Sequence, residues 1–545
     1  MNKNILVLLV LVLLAFGCNK KIETKQKPKL VVGIVVDQMR YDYLTRFKDR
    51  FGKGGFNRLL NDGFSVENGH FNYIPTYTAV GHTSVYTGTT PNNHGIISNN
   101  WYDKFLKKSI YCVTDTSYNS VGTNSRSGQR SPYRLQTTTI TDELHLAQSM
   151  KGKTIGVAIK DRSSILPAGH TANAAYWYNG GKEGKWITSS FYMNSLPKWV
   201  EDFNAKELPK KYLSQTWNTL YDINTYTKSI NDNNEFEGVF RGKQSPTFPY
   251  NLDSLKTNNG NYSLLNTTPF GNTFTVDFAK TAIEKENLGK GEYTDFLAVS
   301  FSSTDYVGHK FGPQSVEIED TYLRLDKDLE DFLNYLDTQI GVNNYTVFLT
   351  ADHGVVEVPS YLQSIKIPAH YLDTNSLIRY VNSVTKKYFN SSKLVENISN
   401  YQIFLNKEKI ESLRLDKNEV AEKLVDELVN YKGIYKSISA KSLQNTHFTS
   451  GVLNSLQNGY NQKLSGDVLL IPLPATLTGS KTGTSHGSGY NYDTHVPIIF
   501  YGNGINKGSS KKRHHIIDIA PTIANLLEIE PSNASTGKII TKALK

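Results

Sequence analysis

"KLVVGIVVDQM", residues 29–39, is a run of apolar, mostly β-branched residues that ends beside an acid, Asp37. A strand with one buried face alternates apolar and polar residues. A continuous run is what a strand covered on both faces requires. Runs of the same kind recur at "TIGVAI" (154–159), "DFLAVSF" (295–301), "YTVFLTAD" (345–352) and "HVPIIFYG" (495–502). Helical patterns lie between them. After Ser315, residues Tyr322, Leu325, Leu329, Phe332, Leu333 and Leu336 keep helical spacing, and Gly341 ends the segment. "IIDIAPTIANLLEI" (516–529) predicts another helix, starting near Pro521. Strands alternating with helices predict an α/β fold: an α/β/α sandwich around a mostly parallel sheet.

At 545 residues the chain has room for such a core and for additions to it. Two stretches break the alternation within an expected catalytic domain of residues 29–545. Residues 171–275 are rich in Asn, Tyr, Trp and Pro with weak periodicity, and read as a loop-rich insertion. Residues 361–463 contain a helix of their own, with Asp416 and Glu419 at capping-box spacing and Val420, Leu424 and Leu428 in a stripe. They read as a small inserted α+β subdomain.

The N-terminus stands outside the fold. Residues 1–17, with basic Lys3 and an apolar run from Ile5 to Phe16, read as a secretory signal, and residues 18–28 as a polar tether. Its exit reads two ways. Ala15-Phe16-Gly17 fits ordinary cleavage, whereas Gly17-Cys18 resembles a bacterial lipobox, after which Cys18 would carry lipid. Ala15 stands where a lipobox usually has Leu. Export is expected, to the periplasm or the outer-membrane surface, with attachment through lipidated Cys18 as one of the two outcomes. No internal stretch of about 20 residues is apolar enough to span a bilayer. Cys18 and Cys112 are the only cysteines, so disulfides are not expected to stabilise the protein.

The formal net charge is +10, and removing residues 1–17 takes away one lysine and no acid. Such a balance suits nucleic acid, an anionic surface or an anionic small molecule. The lysines are scattered, and the densest basic run, "SSKKRHH" (509–515), reads as a solvated loop before a helix. No nucleic acid is expected as a specific ligand, and a monomer is expected.

Chemistry gathers at the strand ends. Asp37 ends the first run, Asp352 and His353 end the fourth, and Asp305 and His309 follow the third. In open α/β sheets ligands bind at the carboxyl ends of strands. A lone Asp there is commonly a turn residue or a cap. Three acids at equivalent places, two with a nearby His, point to a metal site. His486, in the flexible loop "KTGTSHGS" (481–488), is able to approach it. His and Asp without Cys suit zinc in a catalytic site. Carboxylates about 4 Å apart repel by roughly 4 kcal/mol at an effective dielectric near 20, so the cluster needs cations. Thr78, at the predicted helix start in "PTYTAVGHTSVYTG" (75–88), has a hydroxyl that helix N–H groups and a metal would both activate. A threonine there is otherwise a simple cap. His82 and His94 read as structural.

Taken in order, "VVDQMRYDYL", "PTYTAVGHTSVYTG", "GIISNNWYD", "AIKDRSSILPAGH", "SSTDYVGH", "TADHG" and "TSHGSGYNYDTHVPIIFYG" resemble the alkaline phosphatase superfamily. The chain is most similar to its secreted bacterial branch with a threonine nucleophile, the PafA type. The resemblance spans nearly the whole mature chain. It implies a phosphate monoesterase with two zinc ions. One would be held by Asp305, His309 and His486, the other by Asp37, Asp352, His353 and the Thr78 oxygen. It also implies phosphate contacts from Asn99, Lys160 and Arg162. Adjacent Asn100 leaves the Asn99 register open, and Asp161 sits between the two cations. Small-molecule phosphate monoesters are the implied substrates, cleaved through a phosphothreonine intermediate.

Rival readings remain at this level. A phosphodiesterase or nucleotide pyrophosphatase of the same superfamily also uses threonine and asparagine, and "IKDR" (159–162) argues against it. A sulfatase lacks support because no Cys/Ser-x-Pro-x-Arg motif occurs. A non-catalytic glycan-binding surface lipoprotein would suit the tyrosines but not the acid/His series.

Overall fold

The run at 29–39 forms β1 (Leu30–Val36), every residue of which is buried. The structure, a computed structural model, describes residues 27–545. The expected signal segment and most of the tether lie outside the described residues.

Nine further strands join β1: β2 (Phe64–Val66), β3 (Ser120–Val121), β4 (Thr154–Ala158), β5 (Ala174–Asn179), β6 (Lys185–Ser189), β7 (Asp295–Phe301), β8 (Tyr345–Thr350), β9 (Ile498–Gly502) and β10 (Gly508–Ser510). Their spatial order is β10-β2-β9-β8-β1-β7-β4-β5-β6-β3. The five central strands, β8-β1-β7-β4-β5, run parallel. Four of them are the apolar runs of the sequence. The fifth run, 495–502, supplies β9, which is antiparallel to β8 and β2. An apolar run reports burial on both faces; it carries no information on direction.

Six helices matter for the site: α1 (Thr78–Thr87), α2 (Asp161–Ala168), α3 (Phe270–Glu286), α4 (Ser303–Phe311), α5 (Val316–Gln339) and α6 (Ile519–Leu527). They pack as two groups, α1 with α2 and α6, and α5 with α3 and α4. This is the layered α/β architecture expected from the alternation. Ser315 caps α5 by accepting from Ile318 N at 3.1 Å, and Leu325, Leu329, Phe332, Leu333 and Leu336 form its buried stripe. α6 begins two residues before Pro521. The proline therefore stays in the first turn, where its missing N–H costs no intrahelical bond.

The loop-rich reading of 171–275 needs correcting at its start, because β5 and β6 fall inside it and belong to the main sheet. Their aromatic and polar composition, "AAYWYN" and "KWITS", hides the apolar signature of a strand. Beyond them the chain runs through short helices and loops that fasten to the N-terminal part of α5. Asp320 accepts from Trp217 Nε1 at 2.8 Å, Leu220 N at 2.6 Å and Tyr226 Oη at 2.6 Å. Glu319 accepts from Ser229 Oγ at 2.7 Å, and Tyr250 Oη donates to Glu317.

Residues 374–472 hold a separate four-stranded sheet, Val395–Ser399, Gln402–Leu405, Val468–Pro472 and Ile434–Ser439 in spatial order. Val381, Ile403, Val420, Leu424 and Val468 share its own buried cluster. One strand, 468–472, lies past the expected end at 463. Asp416 caps the helix Lys417–Leu428 by accepting from Asn418 N and Glu419 N.

Candidate active site

The four adjacent parallel strands β8, β1, β7 and β4 end on one edge. Asp37 directly follows β1, Asp352 comes two residues after β8, and Lys160 two after β4. Asp305 occupies the first turn of α4, after β7. Facing them is the N-terminus of α1. Helix and loop approach closely at Gly81, where a Cβ would stand 2.0 Å from Asp352 O, so only glycine fits.

Thr78 opens α1 and is 1% exposed. Its Oγ1 lies 3.5 Å from His353 Nε2 and 3.5 Å from Arg162 Nη2. Asn99 Oδ1 accepts from Ala79 N at 2.8 Å, capping the helix from outside. Asn100 is exposed, with its carbonyl bonded to Asn400. Of the two asparagines, Asn99 is the one brought to Thr78.

The acids converge. Lys160 Nζ bonds Asp37 Oδ2 at 2.8 Å and also Asp305 Oδ2, so this lysine joins the two carboxylates rather than pointing at Thr78. Three imidazoles surround them. His309 Nδ1 faces Thr484 O at 2.8 Å, His486 Nδ1 faces Thr76 O at 2.7 Å, and His353 Nδ1 faces Gly354 O at 2.9 Å. A carbonyl only accepts, so each Nδ1 carries a hydrogen and each Nε2 is turned inward, the orientation that metal-ligating histidines adopt. His353 Nε2 is 3.5 Å from Asp37 Oδ1 and 3.4 Å from Asp352 Oδ2. His309 Nε2 is 3.1 Å and His486 Nε2 3.8 Å from Asp305 Oδ1.

The electrostatics are those of a site short of positive charge. Burial, then Asp305 and Asp352, pushes the Asp37 carboxyl well up. Burial pushes Asp352 up to about 7. Burial would raise Asp305 too, but His309 and Lys160 hold it well below the usual range. Burial and the neighbouring His309 lower His486 to about 3. Asp37 Oδ1 and Asp352 Oδ2 are buried and accept no hydrogen bond. His82 Nδ1 is 3.2 Å from Asp352 Oδ2, but it also faces the nearer Thr78 carbonyl at 2.9 Å.

Two groups have ligand atoms within 4.8 Å of one another: Asp37, Asp352 and His353, and Asp305, His353 and His486. His309 adjoins the second through Asp305. Orphaned carboxylate oxygens and inward Nε2 atoms fit divalent cations.

Sequence reasoning missed Gln38. Gln38 adopts a left-handed backbone, φ 66°. That turn lets its N–H reach Asp352 Oδ1 at 3.1 Å while its side chain donates to Asp305 Oδ1 at 2.7 Å. His82 bridges the Thr78 carbonyl and Ser300 Oγ, 2.9 Å each. Its place four residues after Thr78 puts it on the same helix face, in the structural role expected of it. His94 bonds Ser84 and Ile96 N and is structural.

Fold and site place the chain in the alkaline phosphatase superfamily. Residues 31–495 match the type I phosphodiesterase / nucleotide pyrophosphatase family, and the chain belongs to it. It is similar to alkaline phosphatase PhoV of Synechococcus elongatus, 47% identical over 96% of this chain and 94% of that one. A Myroides odoratus protein named calcium-transporting ATPase is 47% identical over 96% of each. No described helix is long and apolar enough to cross a membrane. The crystal structure of alkaline phosphatase PafA superposes with a TM-score of 0.92 at 44% identity, over 95% of this chain and 99% of that one. The PafA sequence match is from Elizabethkingia meningoseptica, 44% identical over 96% of each chain. A variant of PafA substituted at a threonine, an asparagine, a lysine and an arginine has also been solved, with a TM-score of 0.92.

Proposed function

We propose that this protein is a metal-dependent alkaline phosphatase that hydrolyses phosphate monoesters through a phosphothreonine at Thr78. The observation that carries the reading is the setting of Thr78 Oγ1, between Arg162 Nη2 and the inward-facing His353 Nε2. The four residue types exchanged in the PafA variant are those that stand here as Thr78, Asn99, Lys160 and Arg162.

Asp37, Asp352 and His353 would hold one zinc ion beside the Thr78 oxygen, and Asp305, His309 and His486 the other. Two such cations would favour the alkoxide of Thr78 and stabilise the leaving oxygen. The chain's own groups do the positioning. Thr78 Oγ1 forms its bond to phosphorus as the leaving oxygen departs on the opposite side. Asn99 Nδ2, which donates to no described residue, and the Arg162 guanidinium face the transferring group. Water then cleaves the phosphothreonine, and two in-line displacements give net retention at phosphorus.

Charge favours a monoester. The two cations' charges cancel against Asp37, Asp305, Asp352 and a Thr78 alkoxide. With the cations taking over Asp37 and Asp305, which Lys160 now bonds, Lys160 and Arg162 would be left to match a dianion. The family's description favours the second reading, a phosphodiesterase. Rates on matched aryl phosphate monoester and diester substrates decide between them. The parent should prefer the monoester, and Thr78→Ala should lose several orders of magnitude in turnover while Thr78→Ser retains much more. A preference for the diester replaces the monoesterase reading. Export, and a lipid on Cys18, belong to the same proposal, for a phosphatase that meets its substrates outside the cytoplasm.

A further inference from the structure

Arg162 has five N–H donors, and the structure divides them unequally. Nη1 donates to Tyr111 Oη at 3.1 Å. Nη2 has only its long 3.5 Å approach to Thr78 Oγ1, and buried Nε donates to nothing. Nε–H and Nη2–H lie on one edge of the planar guanidinium, the fork that grips two oxygens of a phosphoryl group. That fork is free and the opposite end is tied down.

What ties it is an indirect arrangement. Asp161 precedes Arg162, yet forms its ion pair with Arg130, Nε to Oδ2 at 2.8 Å. Its other oxygen accepts from the Arg162 backbone N–H at 2.7 Å and from Tyr111 Oη. Tyr111 therefore stands between carboxylate and guanidinium, donating to one and accepting from the other. A carboxylate paired directly with Arg162 would occupy the fork and neutralise its charge. With Arg130 and Tyr111 saturating Asp161, the fork stays open towards Thr78. Tyr111 starts from the hairpin Asn100–Asp103/Lys108–Tyr111, whose first strand follows Asn99, so one piece of chain sets both phosphate-facing groups.

The geometry points to Tyr111 as a positioning residue that aims the Arg162 fork at the transferring phosphoryl group, with Asp161 and Arg130 as its support. This rests on the monoesterase reading above, in which Arg162 holds two non-bridging oxygens of a dianion.

The test measures kcat and KM on the aryl monoester and diester, with inhibition by inorganic phosphate, for Tyr111→Phe, Arg162→Ala and the double variant of the zinc-loaded enzyme. Loss of a direct preorganised donor costs about 10²–10³ in rate, and loss of its support should cost about tenfold. Tyr111→Phe should lower monoester kcat/KM by about that factor, weaken phosphate inhibition and leave the diester rate within about twofold. In the Arg162→Ala background it should do nothing further, because the two act as one unit. Arg130→Gln, which frees Asp161 to pair with Arg162, should move the same constants in the same direction even if Tyr111→Phe folds poorly. An unchanged monoester rate in Tyr111→Phe, or an equal loss in the Arg162→Ala background, overturns the positioning role alone. A monoester rate indifferent to Arg162→Ala overturns both it and the reading beneath it.

Discussion

Asp320, near the start of α5, and Asp352, after β8, are both fully buried, yet their oxygens meet different surroundings. Asp320 receives donors on both oxygens, from Trp217, Leu220, Tyr226 and Arg324. Asp352 receives one, from Gln38 N, and its Oδ2 has none. Asp37 is likewise half satisfied, with Lys160 on one oxygen and nothing on the other. A buried carboxylate saturated by hydrogen bonds is a fastener. One left open among inward-facing imidazoles is waiting for a cation, because an uncompensated buried charge is too costly to keep for structure alone. Both regions are acid-rich ends of elements, one at a helix start and the other at strand ends, and the inventory of donors separates them.

The largest effect should come from metal. If the open oxygens of Asp37 and Asp352 exist for cations, a chelator should abolish activity and lower the thermal midpoint, and zinc should restore both. The fastening region around Asp320 should show no metal requirement of its own. Full turnover by protein shown to be metal-free would erase the distinction between the two regions.

A smaller effect is expected at the fastener. Asp320→Ala strands Trp217 Nε1, Leu220 N and Tyr226 Oη without their acceptor, which should cost about 2–4 kcal/mol. Urea unfolding would show it as an earlier midpoint. Turnover by the folded fraction should stay within about twofold of the parent, since Asp320 touches none of the candidate site residues. A large drop in turnover at unchanged stability would move Asp320 into the catalytic class.

Legibility in the sequence follows the same division. Four of the five central strands were readable because burial on both faces writes itself as an unbroken apolar run, and the acids of the site were readable as the residues that end or closely follow those runs. β5 was not, because its exposed-looking aromatics are buried by partners that no local pattern reveals: Tyr176 and Tyr178 by α3 and Trp199, and Trp177, on the other face, by a cluster that includes Ile165 and Leu166 of α2. Gln38 was unreadable for a related reason. Its partners Asp305 and Asp352 lie 267 and 314 residues away. Asn99 and Asn100 are equivalent in composition, and only strand geometry turns one inward. Residue types announced the chemistry. Long-range contacts decided which neighbours support it.

The smallest effect concerns an acid pair intermediate between the two regions. Glu317 shares its helix turn with Asp320, and Tyr250 satisfies one of its oxygens; Glu237 takes Asn234 Nδ2 at 2.6 Å. The Oε2 atoms of both are buried without a donor. Burial and the neighbouring Glu317 raise the Glu237 carboxyl, and burial, with Asp232 adding to it, raises Glu317 despite the Tyr250 bond. With raised folded-state values, the native protein binds more protons than the unfolded chain above about pH 4.3, so this contribution to stability falls as pH rises. It is complete below the ordinary glutamate range and is lost as pH climbs through the raised values. Glu237→Gln imitates the protonated form at every pH. The thermal midpoint of the parent should therefore drop more between pH 6 and pH 9 than that of the variant, with a difference of about 2 °C, both measured with zinc in excess. Parallel curves would mean that a cation, or donors unlike a proton, already satisfies the pair, and would move Glu237 and Glu317 into the same class as Asp37 and Asp352.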